Sequence, residues 1–102
     1  MIYVSSQFDS GNIEVVAADS PDAVRLRIAK DGAADFFQWF HFRVSGARGV
    51  PLTLTIENAG SSSYPKGWEG YRAVASTDRQ DWRRVETSYD GTALTIRHTP
   101  DA

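Results

Sequence analysis

Alternation of apolar and polar side chains along three segments of this chain predicts half-buried β-strands. Residues 24–28, 52–57 and 94–98 each place apolar side chains at every second position, with arginine or threonine between them. Because successive side chains of a strand point to opposite faces, this spacing is typical of strands with one face in a core. Four further segments complete the predicted set of strands: 2–6, 12–18, 71–76 and 82–86. Residues 22–30 have some helical character, but their alternation favours a strand.

The segment 36–44, FFQWFHFRV, is the most ring-rich part of the chain. As a strand it places three apolar side chains on one face: Phe40, Phe42 and Val44. The opposite face carries Trp39, His41 and Arg43. Rings on both faces predict a central strand that is covered on part of its second side. Truncation of Trp39 to alanine is therefore expected to cost about 3–5 kcal/mol, as for other large core side chains.

Turn-forming residues separate the predicted strands. All eight glycines lie between them, and the Asp-Gly pairs at 31–32 and 90–91 are typical of tight hairpins. Many short strands at this spacing predict an all-β fold, an antiparallel β-sandwich of about eight or nine short strands. At 102 residues, positions 1–102 are expected to form a single domain. The last residues, HTPDA, follow a strand closely and resemble a cut at a domain boundary.

Charge and composition narrow the functional classes. The net charge of −2, from 13 acidic and 11 basic residues, is unlike the basic excess of a nucleic-acid-binding domain. The absence of cysteine excludes disulfides and thiolate metal sites in this sequence and fits a reducing compartment. No apolar run approaches the ~18 residues of a membrane span, and the first residues lack the features of a secretory signal. The sequence therefore predicts a cytoplasmic protein that binds neither nucleic acid nor membrane.

No combination of residues in the sequence predicts a catalytic or metal site. His98 and Asp101 have a formal ligand spacing, but Pro100 interrupts it, and His41 among rings is best interpreted as a packed side chain. The serines at 61–63 have no base near them in sequence and are interpreted as loop residues. We therefore expect no catalytic residue, no metal ligand and no bound cofactor in these 102 residues.

The loop 58–71 is the strongest candidate for a functional surface, because connections of this length in compact domains are often functional. It and its flank concentrate residue types that anchor interfaces: Tyr64, Lys66, Trp68, Tyr71 and Arg72. With Arg48, these residues are the candidates for a surface that faces a second domain or a ligand. The alternative is that Trp68 and Tyr71 fold back on the core, and the sequence leaves both interpretations open.

Four segments carry a resemblance to a known family: FDSGNIEVV, FFQWFHFRVSGARG, ENAGSSSYPKGWEGYRAVAS and TSYDGTALTIRHTP. Through them the chain resembles the N-terminal β-sandwich domain of the cytosolic carboxypeptidase-like zinc peptidases, the deglutamylase branch of the carboxypeptidase superfamily. The resemblance runs from about Phe8 to Pro100, nearly the whole chain. Its more specific parts are QWF-x-F-R-V and YPKGW-x-x-YRAVAS-x-D.

The resemblance implies a protein in which this sandwich precedes a catalytic α/β domain. The zinc ligands of the family, a His-x-x-Glu pair and a later His, and its general-base Glu lie in that second domain, and none matches a position here. The implied role is a non-catalytic accessory domain that packs on the carboxypeptidase domain of the same polypeptide and shapes access to its active site. The parent would remove C-terminal amino acids, with glutamate as one candidate, from proteins or peptides, which makes an acidic protein or peptide substrate a further expected partner.

A free-standing carbohydrate- or ligand-binding β-sandwich is the alternative function. Residues 71–85 have the style of a hairpin in such modules, with a strand, a Ser-x-Asp turn and a strand that begins at a tryptophan. In that interpretation, Tyr64 and Trp68 stack on sugar rings.

Overall fold

The computed structural model describes residues 2–6, 11–29 and 38–101, and within these ranges the regular structure is almost entirely β. Nine strands follow one another along the chain: β1 (Tyr3–Ser5), β2 (Glu14–Ala17), β3 (Val24–Arg27), β4 (Arg43–Ser45), β5 (Leu52–Ile56), β6 (Val74–Ala75), β7 (Arg83–Arg84), β8 (Glu86–Tyr89) and β9 (Leu94–His98). Three short 3-10 turns interrupt them: Pro21–Ala23, Ala59–Ser61 and Pro65–Trp68. The predicted all-β sandwich of eight or nine short strands is confirmed. In the part of the chain described, no helix is long and apolar enough to cross a membrane.

The main layer is a five-stranded sheet in the order β2-β3-β5-β9-β8. Its centre, β5, pairs antiparallel with β9 and parallel with β3. The parallel pair departs from the predicted wholly antiparallel arrangement. It arises because the chain leaves β3, passes through β4 in the second layer and returns to the sheet in its original direction.

One face of this sheet forms most of the core. The buried side chains come from the apolar positions that the alternation singles out: Val24, Leu26, Leu52, Leu54, Ile56, Leu94 and Ile96. Full burial of each such side chain stabilises the fold by roughly 1.5–3 kcal/mol relative to exposure. The intervening residues form the outer surface of the sheet, which we call the polar face: Arg25, Arg27, Thr53, Thr55, Glu86, Ser88, Thr95 and Arg97.

The second layer contains two small sheets, β1-β4 and β6-β7. Phe40, Phe42 and Val44 pack against the core as predicted. The position of the ring-rich segment as a long central strand is wrong, however. Of this segment, the described residues 38–44 form strand pairs only where β4 pairs with β1 and at one bridge between His41 and Asn12. Positions 36 and 37 lie outside the described residues.

The first two strands belong to different layers. β1 pairs with β4 and β2 pairs with β3, so the chain crosses between layers near Gly11. A Cβ atom at Gly11 would lie 2.0 Å from the carbonyl oxygen of Ser6, so only glycine fits this approach. The hydroxyl of Ser6 also donates to the carbonyl of Ile13, at 3.2 Å.

Two asparagine side chains take the place of strand partners near the end of β3. The amide of Asn58 accepts the N–H of Ile28 at 2.8 Å and donates to its carbonyl at 3.0 Å. The amide of Asn12 donates to the carbonyls of Ala29 at 3.2 Å and Trp39 at 2.8 Å. Because buried backbone groups need partners, these amides allow the sheet to end inside the protein.

The hairpin predicted at 90–91 joins β8 to β9. Gly91 adopts a positive φ of 95°, and the carboxylate of Asp90 accepts the N–H groups of Thr92 and Ala93, both at 2.8 Å. The Asp-Gly pair at 31–32 lies outside the described residues.

Candidate functional site

Trp68 lies in the core, although the loop that carries it is the main candidate for an exposed surface. Its side chain is only 3% exposed, and its indole N–H donates to the Ser62 hydroxyl at 2.9 Å. Its ring stacks on Phe40, with centroids 5.8 Å apart, and meets Tyr71 edge-on at 5.0 Å. The sequence left open whether Trp68 and Tyr71 fold back on the core, and the structure places Trp68 there and Tyr71 beside it. Ser62, one of the three consecutive serines, therefore has a structural partner.

Tyr64 combines a fixed backbone with an exposed ring. The side-chain amide of Gln38 donates to the Tyr64 carbonyl at 2.7 Å and accepts the Tyr64 N–H at 2.6 Å. The ring remains 63% exposed and lies close to Gly67, where an added Cβ would approach it to 3.0 Å. The two hydrogen bonds to Gln38 thus hold the Tyr64 backbone in place while its ring faces solvent. The sugar-binding alternative loses its second ring, because Trp68 is buried.

A groove lies between this loop and residues 38–40, which precede β4. It has a volume of ≈ 230 Å³, and its lining is mostly aromatic: Gln38, Trp39, Phe40, Gly67, Trp68 and Tyr71. Pockets for small-molecule ligands usually measure roughly 300–1,000 Å³, so this groove suits one or two protein side chains better. Trp39 is 40% exposed. The expected role of Trp39 as a buried core residue is wrong, because its side chain lies at the surface beside this groove.

Exposed charged side chains of both signs lie in and beside the loop: Lys66, Glu69 and Arg72. In the described ranges neither Lys66 nor Arg72 forms a salt bridge with a carboxylate. Arg84 donates to the carbonyl of Arg72 at 3.2 Å. Burial raises the pKa of the Tyr71 hydroxyl, and the positive charge of Arg84 partly opposes that rise. These cations are available to carboxylates of another molecule or domain.

Arg48 lies apart from the other five candidates. It precedes β5, whereas the loop follows β5, so the two are at opposite ends of that strand. The neighbouring Gly49 N–H donates to the carbonyl of Pro100 at 2.7 Å, which places Arg48 beside the residues that follow β9. The structure therefore brings together Tyr64, Lys66, Trp68, Tyr71 and Arg72, and it separates Arg48 from them. Contact of these residues with a domain or ligand remains a prediction.

The outward side of β1 and β4 forms a second surface, on which the sequence placed Trp39 and His41 together but not Tyr3 or Trp82. We call it the aromatic face and define it by four residues: Tyr3, Trp39, His41 and Trp82. Tyr3 is 63% exposed and Trp82 is 44% exposed. Trp82 meets the His41 ring edge-on at 5.9 Å. Alternation alone could have found Tyr3, since Val4 beside it is buried, but Trp82 arrives from a distant hairpin.

That hairpin, β6-β7, is held by a Ser-x-Asp turn. The carboxylate of Asp78 accepts the N–H groups of Gln80 and Asp81, both at 2.9 Å, and the hydroxyl of Ser76, also at 2.9 Å. The N–H bonds from Asp81 and Gln80 are the main reason that the pKa of Asp78 falls to about 2. Arg79 adopts a positive φ of 64° at the tip. The turn therefore fixes the path that brings Trp82 to the aromatic face.

The histidines do not assemble a metal site within the part of the chain described, where no three His, Cys, Asp or Glu side chains converge. His41 packs on Trp82, whereas His98 lies at the end of β9 opposite Leu52. These contacts suit the interpretation of His41 as a packed side chain.

Comparison with known proteins identifies the domain. Residues 4–102 match the family model described as the cytosolic carboxypeptidase N-terminal domain. A metallo-carboxypeptidase from Burkholderia cenocepacia superposes with a TM-score of 0.98 at 51% identity, covering 100% of this chain and 27% of that chain. The metallo-carboxypeptidase from Pseudomonas aeruginosa in complex with (2-guanidinoethylmercapto)succinic acid gives a TM-score of 0.94 at 44% identity, covering 98% of this chain and 27% of that chain.

A curated relative, an uncharacterized protein of Zymomonas mobilis subsp. mobilis, is 48% identical over 99 residues, which are 97% of this chain and 26% of the relative. The chain thus spans about a quarter of the length of the relatives that it matches. The family match covers nearly every residue and agrees with the resemblance noted in the sequence. The chain belongs to the cytosolic carboxypeptidase N-terminal domain family.

Proposed function

We propose that this domain is the non-catalytic accessory domain of a cytoplasmic metallocarboxypeptidase. It packs on a carboxypeptidase domain of the same polypeptide and borders the approach to its active site. One observation carries the proposal: the whole chain superposes on about a quarter of a metallo-carboxypeptidase, with a TM-score of 0.98. The parent hydrolyses C-terminal amino acids from proteins or peptides.

The chemistry of the described residues explains why catalysis is assigned to the other domain. Hydrolysis of a peptide bond by a metallopeptidase needs a metal with several protein ligands and an open position for water. The described residues offer no such ligand set, so they do not fit the zinc ion that the family resemblance implies. In this proposal the ion is bound by the other domain, and the sandwich contributes shape and charge.

The cations of the loop support an acidic substrate, such as one that ends in glutamate. Lys66 and Arg72 have no salt-bridge partner among the described residues, and Arg84 donates to the carbonyl of Arg72. Arginine binds carboxylates through two parallel hydrogen bonds, which suits recognition of acidic side chains near the scissile bond. The same cations would raise the local concentration of an acidic peptide at low ionic strength.

The test uses the natural polypeptide, captured from source cells with an antibody against this domain. We expect an intact mass several times that of the 102-residue chain, release of C-terminal amino acids from a peptide panel, and loss of that release with a zinc chelator. A mass close to that of the chain alone, or a purified polypeptide that releases no amino acid, would contradict the proposal.

Substrate charge is tested separately with Arg72→Ala in the full polypeptide. We expect a higher KM for peptides with acidic C-terminal regions, an unchanged kcat, and a smaller effect at high salt. Arg27→Ala removes an equivalent charge from the polar face and is the matched control. Equal KM values for the two variants would show that the loop does not recognise acidic substrates.

A further inference from the structure

The exposed rings of this domain lie outside its main sheet. The exposed aromatic side chains are Tyr3, Trp39, Tyr64 and Trp82 among the described residues. None of them belongs to the five-stranded sheet, where the exposed large apolar side chains are Val15 and Val16 of β2. Three of the four rings, Tyr3, Trp39 and Trp82, belong to the aromatic face, and exposed rings grouped in this way are typical of a protein–protein contact.

The aromatic face forms a stripe along β4 and the residues that precede it. Arg43, His41 and Trp39 alternate in sequence with Phe42 and Phe40, which pack against the core, and Trp39 also borders the groove. Tyr3 lies across from Ser45 and extends the stripe at one end. Trp82 widens the stripe where its ring meets His41.

The molecule measures 35 × 28 × 28 Å, so one of its sides is large enough for the roughly 600–1,500 Å² that interfaces between domains of one chain bury. Such interfaces are also more polar than permanent ones, which agrees with Arg43 and His41 among the rings. The groove beside Trp68, by contrast, holds only one or two side chains.

The path of the chain favours a partner in the same polypeptide. Ser45, opposite Tyr3, ends β4, and the short turn that follows brings Gly49 to Pro100 through the hydrogen bond of 2.7 Å. Any polypeptide that continues beyond residue 101 would therefore leave the sandwich near the Tyr3 end of the aromatic face. In the solved relatives, this domain is about 27% of the chain, so a much larger body has to be placed next to it.

We infer that the aromatic face, rather than the loop around Tyr64, is the surface on which the carboxypeptidase domain packs. This inference rests on the proposed function and adds to it the location of the contact. It leaves the Tyr64 ring and the cations of the loop open to solvent, and Trp39 lies where the aromatic face borders the groove.

Tyr3 and Tyr64 provide a matched pair for the test, because both rings are 63% exposed in the domain. Hydroxyl-radical footprinting of the full natural polypeptide measures how fast each ring is oxidised. We expect Tyr3 and Trp82 to be modified several-fold more slowly than Tyr64. Tyr3 and Trp82 that react as fast as Tyr64, or a Tyr64 that is the protected ring, would overturn the inference.

Charge substitutions in the full polypeptide give a second measurement. Tyr3→Glu places a carboxylate in the contact and is expected to split one cooperative thermal transition into two, with faster proteolysis between the domains. Tyr64→Glu and Ser88→Glu, on the loop and the polar face, should keep a single transition. A split caused by Tyr64→Glu alone would move the contact to the loop. A polypeptide without a carboxypeptidase domain would overturn this inference and the proposed function, whereas a reactive Tyr3 in an active carboxypeptidase would overturn only the inference.

Discussion

The polar face and the aromatic face lie on opposite sides of the same core, and both are built from strands with a buried side. On the polar face the outward positions carry threonine, serine and charged pairs, such as Arg25 with Glu57 at 2.5 Å. On the aromatic face the outward positions carry Tyr3, Trp39 and His41, with Trp82 packed against them. The inward side chains of both layers are apolar, so the two faces differ only in their outward side chains.

This contrast shows that an aromatic side chain in an extended segment is not necessarily buried. Trp39 and Trp68 have the same side chain and border the same groove. Trp68 has a hydrogen-bond partner for its indole and two ring neighbours and is 3% exposed, whereas Trp39 is 40% exposed. A core position is defined by partners on every side.

Truncation of each tryptophan to alanine should give the largest difference in stability between the two positions. Trp68→Ala removes a buried ring and leaves a cavity, so we expect a loss of about 3–5 kcal/mol in the free energy of unfolding. Trp39→Ala should cost clearly less, because much of its ring is already in water. Urea denaturation followed by far-ultraviolet circular dichroism measures both. Equal losses would show that the aromatic face is as much a part of the core as Trp68.

Removal of the Asn58 amide tests the edge of the core between the two faces. Asn58→Ala leaves the buried N–H and carbonyl of Ile28 without partners. Unsatisfied buried groups cost about 1–3 kcal/mol each, so for these two groups we expect a total loss of about 2–6 kcal/mol by the same urea method. Ser88→Ala, on the polar face, is the control and should change little. A neutral Asn58→Ala would mean that water or a rearranged backbone replaces the amide.

Acid should loosen the hairpin that supports Trp82. The folded-state pKa of Asp78 is about 2, below the value of about 3.9 that an unfolded aspartate has. Its ionised form is thus favoured by folding, so the stabilisation is complete above about pH 4 and is lost as the pH falls towards 2. We expect Asp78→Asn to flatten the dependence of the melting temperature on pH in that window.

Asp90 is the comparison for the acid experiment, because hydrogen bonds from Ala93 and Thr92 also lower its pKa. Asp90→Asn should remove its own part of the same slope. The Asp78 variant, and not the Asp90 variant, should also expose Trp82 to a fluorescence quencher at neutral pH. An unchanged slope in both variants would mean that other groups control unfolding in acid.

The smallest effect is expected on the polar face. Arg25→Ala breaks the pair with Glu57, but Arg25 is exposed and water screens such pairs strongly. We expect a change in the urea midpoint close to experimental error at physiological salt, measured beside Trp39→Ala. A loss as large as that of Trp39→Ala would show that the charged pairs contribute to the fold as much as the rings do.

Alternation predicted the strands of the main sheet because a single physical rule governs them. Residues 24–28, 52–57 and 94–98 became β3, β5 and β9, with the expected side buried. The Asp-Gly turn at 90–91 could be predicted for a similar reason, since its geometry depends on adjacent residues. Local rules therefore account for the predicted part of the fold.

The rest depends on residues that are distant in sequence. Asn58 pairs with Ile28, Gln38 with Tyr64, and Trp82 with His41, and nothing local marks any of these contacts. The amides act as strand partners although their sequence neighbours are typical of loops. For the same reason, the sequence could name Tyr64, Trp68 and Arg48 as candidates but could not say which are buried, which are exposed, and which lie at the other end of the sandwich.

The central place of β5 has a consequence for how the protein is made. Leu54 pairs with Val24 before it and with Ile96 after it, so the sheet closes only when distant parts of the chain meet. Such non-local pairing slows folding compared with helical domains of equal size. During synthesis, β5 must wait for β9 to leave the ribosome, and until then its apolar side is unprotected. The nascent chain up to residue 90 is therefore the stage at which a chaperone would have most to bind.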